Sequence, residues 1–328
     1  MTIADVAVAW SRVAARTIGI AKKIGLRLVS FGDKFPYLRA LLETLHQSSD
    51  WDRVLLQLPP GPSIAGMSLA KNVIHDFRLV CDVHTGMIIY RDAKQVLLNA
   101  PFIQLLHGCD YALAHNSLNS EYLRAIGLKN VLTVYDPIPE PVPGRAPDLN
   151  IEVGNYLLVP AGWDTDEIMD YLIEEVGSDV LSSLGYFVVI TGDYSRTRYG
   201  LKYSKVLSKI KGVILTGYLP AEQYMWLIRN STAVIGLTRL KHIMLRAFWE
   251  AAAFSKPVVA PDTPVTREIM GPLPYYYIPY VSGSLKKAIH TLQKDRDEAV
   301  SRGIMLSKRM RKLSEDSMRR LRALFKML

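Results

Sequence analysis

Short apolar runs alternate with amphipathic stretches along nearly the whole chain, and this alternation restricts the fold more than any other feature. In the first half the apolar runs fall at residues 3–10, 26–31, 53–58, 78–84, 110–115 and 130–135, with helical patterns at 12–24, 36–47 and 63–74 between them. Strand-length runs rich in Val, Ile and Leu, separated by helices of about ten residues, predict parallel strands buried on both faces, and hence a doubly wound sheet. Five prolines between Pro137 and Pro147 then interrupt the pattern. That density excludes helix and central strand and predicts a semi-rigid connector. Beyond it the alternation resumes, with strands at 155–161, 186–191 and 212–217 and helices at 165–176 and 199–209. The expectation is an α/β protein of two Rossmann-like doubly wound domains, 1–138 and 150–303. A Pro-rich linker spans 139–149, and a basic amphipathic helix at 304–328 is expected to pack back on the first domain or to lie on another surface. A length of 328 residues agrees with two cores rather than one. On such sheets ligands gather at the carboxyl ends of the strands.

Composition narrows the class. Hydrophobic residues at 49% against 22% charged describe a globular chain with a substantial core. No apolar run approaches the eighteen residues of a membrane span, and the opening MTIADVAVAWSR lacks the basic leader, apolar block and cleavage site of an export signal. The only cysteines are Cys81 and Cys109, both in apolar surroundings, which fits a reducing compartment and argues against a disulfide framework or a four-ligand zinc site. The seven histidines show neither a His-Glu-x-x-His pattern nor paired zinc spacing, and His115 reads most simply as structural or exposed. No P-loop and no Gly-x-Ser-x-Gly elbow is present, which sets aside P-loop phosphoryl transfer and the common serine hydrolases. Of the net charge of +9, a surplus of eight falls between Ser282 and Leu328, where thirteen Lys and Arg face five Asp and Glu. There Ile304, Leu306, Met310, Leu313, Met318, Leu321, Leu324 and Phe325 recur at roughly helical spacing. Such a helix suits an anionic membrane surface, nucleic acid or the protein's own body.

The richest segment runs from Gly217 to Gly271. A Gly217-Tyr218 turn, an amphipathic helix, a short apolar strand, a basic loop, a helix carrying Glu250 and a KPVVAPD strand follow with almost no spacer. Where a strand ends in a loop that runs into a helix, the unpaired amides and the dipole at the helix N-terminus suit an anionic diphosphate. Residues 243–246, Met244 and Leu245 among them, would supply those amides, and Arg239, Lys241 and Arg246 positive charge. Glu250 either accepts from two ribose hydroxyls or is simply a polar position on its helix.

This order of elements resembles the nucleotide-sugar-binding segment of the retaining, family 4 glycosyltransferases of GT-B architecture. The resemblance implies that Glu250, in EAAAFSKPVVA, matches the second of two glutamates eight residues apart, whose first position here is His242. It implies a donor-sugar contact for a strand-end histidine, which His84 in DVHTG fits, with Asp82 pointing the same way two residues earlier. Two places depart from the family pattern. Trp10-Ser11-Arg12 stands where glycines usually approach the diphosphate, and Arg12 offers a charge there instead. PAGWDTDEIMD, with Gly162, lacks the usual pair of cations, for which Arg196 and Arg198 are possible substitutes.

The resemblance thus implies catalytic roles for His84, His242 and Glu250, and donor contacts by Arg12, Gly162, Gly217, Tyr218, Arg239, Met244, Leu245 and Glu250. It implies a sugar transferred from a nucleotide-diphosphate sugar with retention, no cofactor and no metal, to a sugar or lipid-linked acceptor. The expected location is cytoplasmic, with peripheral contact to the inner membrane face and no nucleic acid. Open alternatives are an inactive GT-B-like scaffold or polyanion binder, and a sugar epimerase or phosphorylase on the same fold.

Overall fold

The computed structural model describes residues 4–31, 37–90, 92–149, 151–177 and 185–328. Positions 1, 3, 36 and 150, where four of the expected bounds fall, lie outside the described residues. Two compact units are present: one comprises the described residues up to Pro137 together with Leu313–Leu328, and the other comprises Ile138–Lys312.

The first unit is built on strands β1 (Ala4–Ala9), β2 (Arg27–Ser30), β3 (Trp51–Leu58), β4 (Arg78–Val83), β5 (Tyr111–Ala114) and β6 (Val131–Thr133). They form a parallel sheet in the order β2-β1-β3-β4-β5-β6. Central strands covered on both faces must be apolar on both, and Val54, Leu55 and Leu56 in β3 are indeed fully buried in succession. Helix Gly61–Val73 packs closely because Gly66 carries no side chain: a Cβ there would lie 2.3 Å from the Trp10 ring. The second unit repeats the plan with β7 (Tyr156–Val159), β8 (Phe187–Thr191), β9 (Val213–Gly217), β10 (Ala233–Ile235), β11 (Val258–Pro261) and β12 (Tyr275–Tyr277). Its order is β12-β11-β10-β7-β8-β9, so the chain reverses direction across the sheet between β7 and β10, where such folds open a crevice.

A helix of 32 residues, Arg296–Met327, serves both units. Met318, Leu321, Leu324 and Phe325 join Ala7, Leu55, Val80 and Leu113 in the first unit's core. Of the expected apolar stripe, Ile304 departs and is 42% exposed. Several arginines of this helix turn to backbone carbonyls. Arg309 donates to Glu268 and Ile269 O, Arg311 to Ala253 O and Arg322 to Lys23 O. Each acceptor lies in the last turn of another helix, where orphan carbonyls and the negative dipole end favour a cation.

One expectation is corrected. Cys81 and Cys109 are joined by a disulfide, with Cα atoms 6.1 Å apart. Cys81 lies in β4 and Cys109 two residues ahead of β5. Because β4 and β5 are parallel neighbours, with Val80 opposite Tyr111, the two sulfurs meet at one end of the pair.

Candidate functional site

In the second unit a pocket of about 360 Å³ opens at the carboxyl ends of the strands. Pro160, Ala161 and Gly162 follow β7, Thr191 and Gly192 close β8, Tyr218 and Leu219 follow β9, and Leu245, Arg246 and Ala247 begin the helix Arg246–Ala253. No side chain caps that helix and no acidic residue stands in its first turn, so its positive end faces the pocket without a carboxylate of its own. One turn further in, Glu250 is 5% exposed and held on both oxygens. Tyr224 Oη donates to Oε2 at 2.6 Å, and Arg246 Nε donates to Oε1 at 2.7 Å. Burial first, and the carboxylate beside it second, raise the Tyr224 phenol well above its ordinary value, so it remains a donor to Glu250.

On the opposite wall, the loop after β7 is tightly pinned. Trp163 is fully buried in a left-handed conformation (φ 60°), and its indole N–H is directed at the carbonyls of Thr191 and Gly192, both 3.1 Å away. Gly192 is required at its position: its φ is +95°, and a Cβ would fall 1.9 Å from Ala161 O. Glu167 accepts from the amides of Gly162 and Trp163, each at 2.7 Å. Burial pushes the Glu167 carboxyl up to about 7 despite those two donors, and Asp166 and Asp164 push in the same direction.

Gly162, Tyr218, Leu245 and Glu250 of the expected donor residues line this pocket, together with Arg246. Gly217 ends β9 with a left-handed φ of 67° and sets up the turn to Tyr218. Arg239, His242 and Met244 lie on the loop between β10 and the helix but not among the lining residues. Arg196 and Arg198, the possible substitutes for the missing cations, are exposed outside the lining. The loop amides that would otherwise meet an anion are occupied by Glu167, which sequence reasoning missed because the contact depends on the local turn.

The remaining expected residues belong to the first unit. Arg12 is exposed, and its carbonyl accepts from Gln57 Nε2. His84 follows β4 and its Nε2 lies 3.1 Å from Asp82 Oδ2, as their two-residue spacing suggested. His115, which follows β5, joins them: its Nε2 is 3.7 Å from Asp82 Oδ1, and the two imidazoles meet edge to face at 4.6 Å. Arg16, in the first turn of helix Ala15–Ile24, bonds both oxygens of Asp82 at 3.1 Å and Asp136 at 2.5 Å. Burial alone would raise the Asp82 carboxyl, but Arg16 and the two imidazoles overcome it and hold the group well below the carboxylate range. The same burial, reinforced by Arg16 and His84, depresses His115 to about 4. No spacing signal links Arg16, His84 and His115 in the sequence; the strand order brings them together.

No protein-family profile matches the chain. Among curated proteins, no relative is found either. Solved structures do match. HepE of Anabaena, solved in complex with UDP and glucose, aligns over 97% of this chain and 99% of its own with a TM-score of 0.75 at 14% identity. Sucrose-phosphate synthase of Thermosynechococcus elongatus aligns over 98% of both chains with a TM-score of 0.70 at 12% identity. The lipopolysaccharide outer core galactosyltransferase WaaB covers all of both chains with a TM-score of 0.63 at 16% identity. The structural neighbours are GT-B glycosyltransferases, and the two parallel six-stranded sheets give this chain the same two-domain, Rossmann-like GT-B fold.

Proposed function

We propose that the protein is a glycosyltransferase whose second unit binds a nucleotide-diphosphate sugar. The diphosphate lies at the N-terminus of helix Arg246–Ala253 and the ribose on Glu250. The observation that supports this reading is a buried carboxylate, oriented by Tyr224 and Arg246, one turn behind an uncapped helix N-terminus in a pocket at the strand ends. Tyr218, 77% exposed at the rim, offers a ring face to the nucleobase. As the sugar departs, negative charge develops on the diphosphate, so fixed helix amides and Arg246 stabilise the transition state more than the ground state. This chemistry calls for no metal at the donor. In keeping with the family 4 resemblance, the transfer retains configuration and the acceptor is a sugar or a lipid-linked glycan. HepE, with the same fold, has been solved with UDP and with UDP-glucose, which makes uridine diphosphate the first ligand to try.

Calorimetric titration with UDP tests the assignment. Glu250→Ala removes a charged acceptor and should weaken binding by about 1.5–3 kcal/mol. Glu250→Gln, closer in shape, should keep the fold and still lose most of that affinity. Equal affinity in parent and both variants, with folding intact, defeats the reading. A second reading, a GT-B scaffold without turnover, is favoured by one observation: among the described residues the lining holds a single cation, Arg246, against Glu167 and Glu250, and Glu167 already occupies two loop amides. Under that reading no nucleoside diphosphate stabilises the protein in a thermal-shift panel, whereas polyanions do.

A further inference from the structure

The cluster at the carboxyl ends of β4 and β5 takes no part in the diphosphate and ribose contacts proposed above; the family resemblance gives only His84 of it a contact, with the donor sugar. One ligand-capable atom from each of Asp82, His84 and His115 can be chosen so that all three lie within 4.8 Å of one another. Asp82 Oδ2 to His84 Nε2 is 3.1 Å and Asp82 Oδ1 to His115 Nε2 is 3.7 Å. Ligands bound at 2.0–2.2 Å in a tetrahedral arrangement sit about 3.4 Å apart, so each imidazole stands near ligand spacing from one oxygen of Asp82, and the three groups are close enough to converge on one ion with small side-chain adjustments. His115 Nε2 is buried and has no hydrogen-bond partner, a state that native proteins rarely leave without a water or an ion. Asp82, wholly buried, shares the guanidinium of Arg16 with Asp136, so the carboxylate is already oriented at the mouth of the imidazole pair.

We propose that Asp82, His84 and His115 form a binding site for a divalent transition-metal ion of the zinc class. Two imidazoles and one carboxylate suit zinc, whereas magnesium and calcium favour sites made of oxygen. Arg16 orients the ligating carboxylate from behind, the position that outer hydrogen-bond partners commonly take at metal centres. Asp82 is wholly buried while the side chains of His84 and His115 each keep 18% of their surface exposed, so the ion enters from the imidazole side. Three protein ligands leave a fourth position for an oxygen of a bound molecule, such as a hydroxyl or a carboxylate.

The test uses the full chain, stripped with a chelator and titrated with ZnCl2 in a calorimeter, and separately with CoCl2, whose visible absorption reports coordination. The expected result is one equivalent of zinc bound, and an intense cobalt band of four-coordinate type. His115→Ala and His84→Ala should each weaken zinc binding at least tenfold, while His290→Ala, on a helix of the other unit, should leave it unchanged. Circular dichroism checks each fold, and the cobalt spectrum of the parent needs no variant at all. Absence of stoichiometric binding in the parent, a six-coordinate cobalt spectrum, or zinc affinity as high as the parent's in folded His84→Ala and His115→Ala would overturn the proposal. None of these outcomes bears on UDP affinity, so the donor assignment and this one can fail separately.

Discussion

Glu167 keeps its proton at pH values where a free glutamate has lost it. Its folded-state value of about 7 lies above the ordinary 4.3, so between those limits the native state binds more protons than the unfolded one. The stability this contributes is complete below about pH 4 and is lost as pH rises through about 7. Denaturant unfolding measured across pH 5 to 8 should show falling stability in the parent, and Glu167→Gln should flatten that slope. An identical slope in both would mean that another group titrates there. The contrast with Asp82 is instructive, because both carboxyls are desolvated and only one has a cation. Arg16 pulls Asp82 down, whereas Glu167 has only amide dipoles and two neighbouring aspartates. Neither state was legible in the sequence: Asp82 and His84 were visible as a pair two residues apart, but Arg16 and His115 come from distant elements, and Glu167 reads as one acid among several in the first turn of a helix expected at 165–176, which in the structure begins only at Met169.

At the scale of elements, much was legible because the physics is local. Strands β1, β3, β4 and β8 fall on the expected apolar runs, since a strand covered on both faces has to be apolar at consecutive positions. What depends on which strands are neighbours was not legible. The Cys81–Cys109 bond is the clearest case: two cysteines in apolar surroundings argue for a reducing compartment and against a disulfide framework, and only the β4–β5 pairing makes them partners. The bond closes a loop with a sequence separation of 28, for which the chain-entropy relation gives about 3.5 kcal/mol of stabilisation. Replacing Cys109 with Ala, or reducing the parent, should therefore lower the unfolding midpoint in denaturant and steepen the slope, because the unfolded chain without the cross-link exposes more surface. An unchanged midpoint would show that the pair does not form in solution. The donor pocket was half legible. Glu250 and the helix N-terminus follow from the order of elements, whereas the carboxylate on the facing loop does not.

At the scale of the whole molecule, the basic surplus near the C-terminal end reads differently once the contacts are known. Arg309, Arg311 and Arg322 are engaged with carbonyls in the last turns of three other helices, so part of the charge that suggested a membrane surface does structural work. Lys308, Lys312 and Lys326 are exposed, and each basic group close to an anionic bilayer contributes roughly 1 kcal/mol. Co-sedimentation with anionic vesicles should show weak binding at low salt that disappears near physiological ionic strength, where the screening length is about 8 Å. Binding that persists there would require an apolar insertion that this helix, with its stripe committed to a core, does not offer. That commitment also orders events during synthesis. The wall formed by Met318, Leu321, Leu324 and Phe325 is encoded about 180–190 residues after Pro137, so the first unit leaves the ribosome with one side of its core unmade. At 5–20 residues per second the wait is roughly ten to forty seconds, during which the first unit has to persist as an incomplete body while the second is translated through.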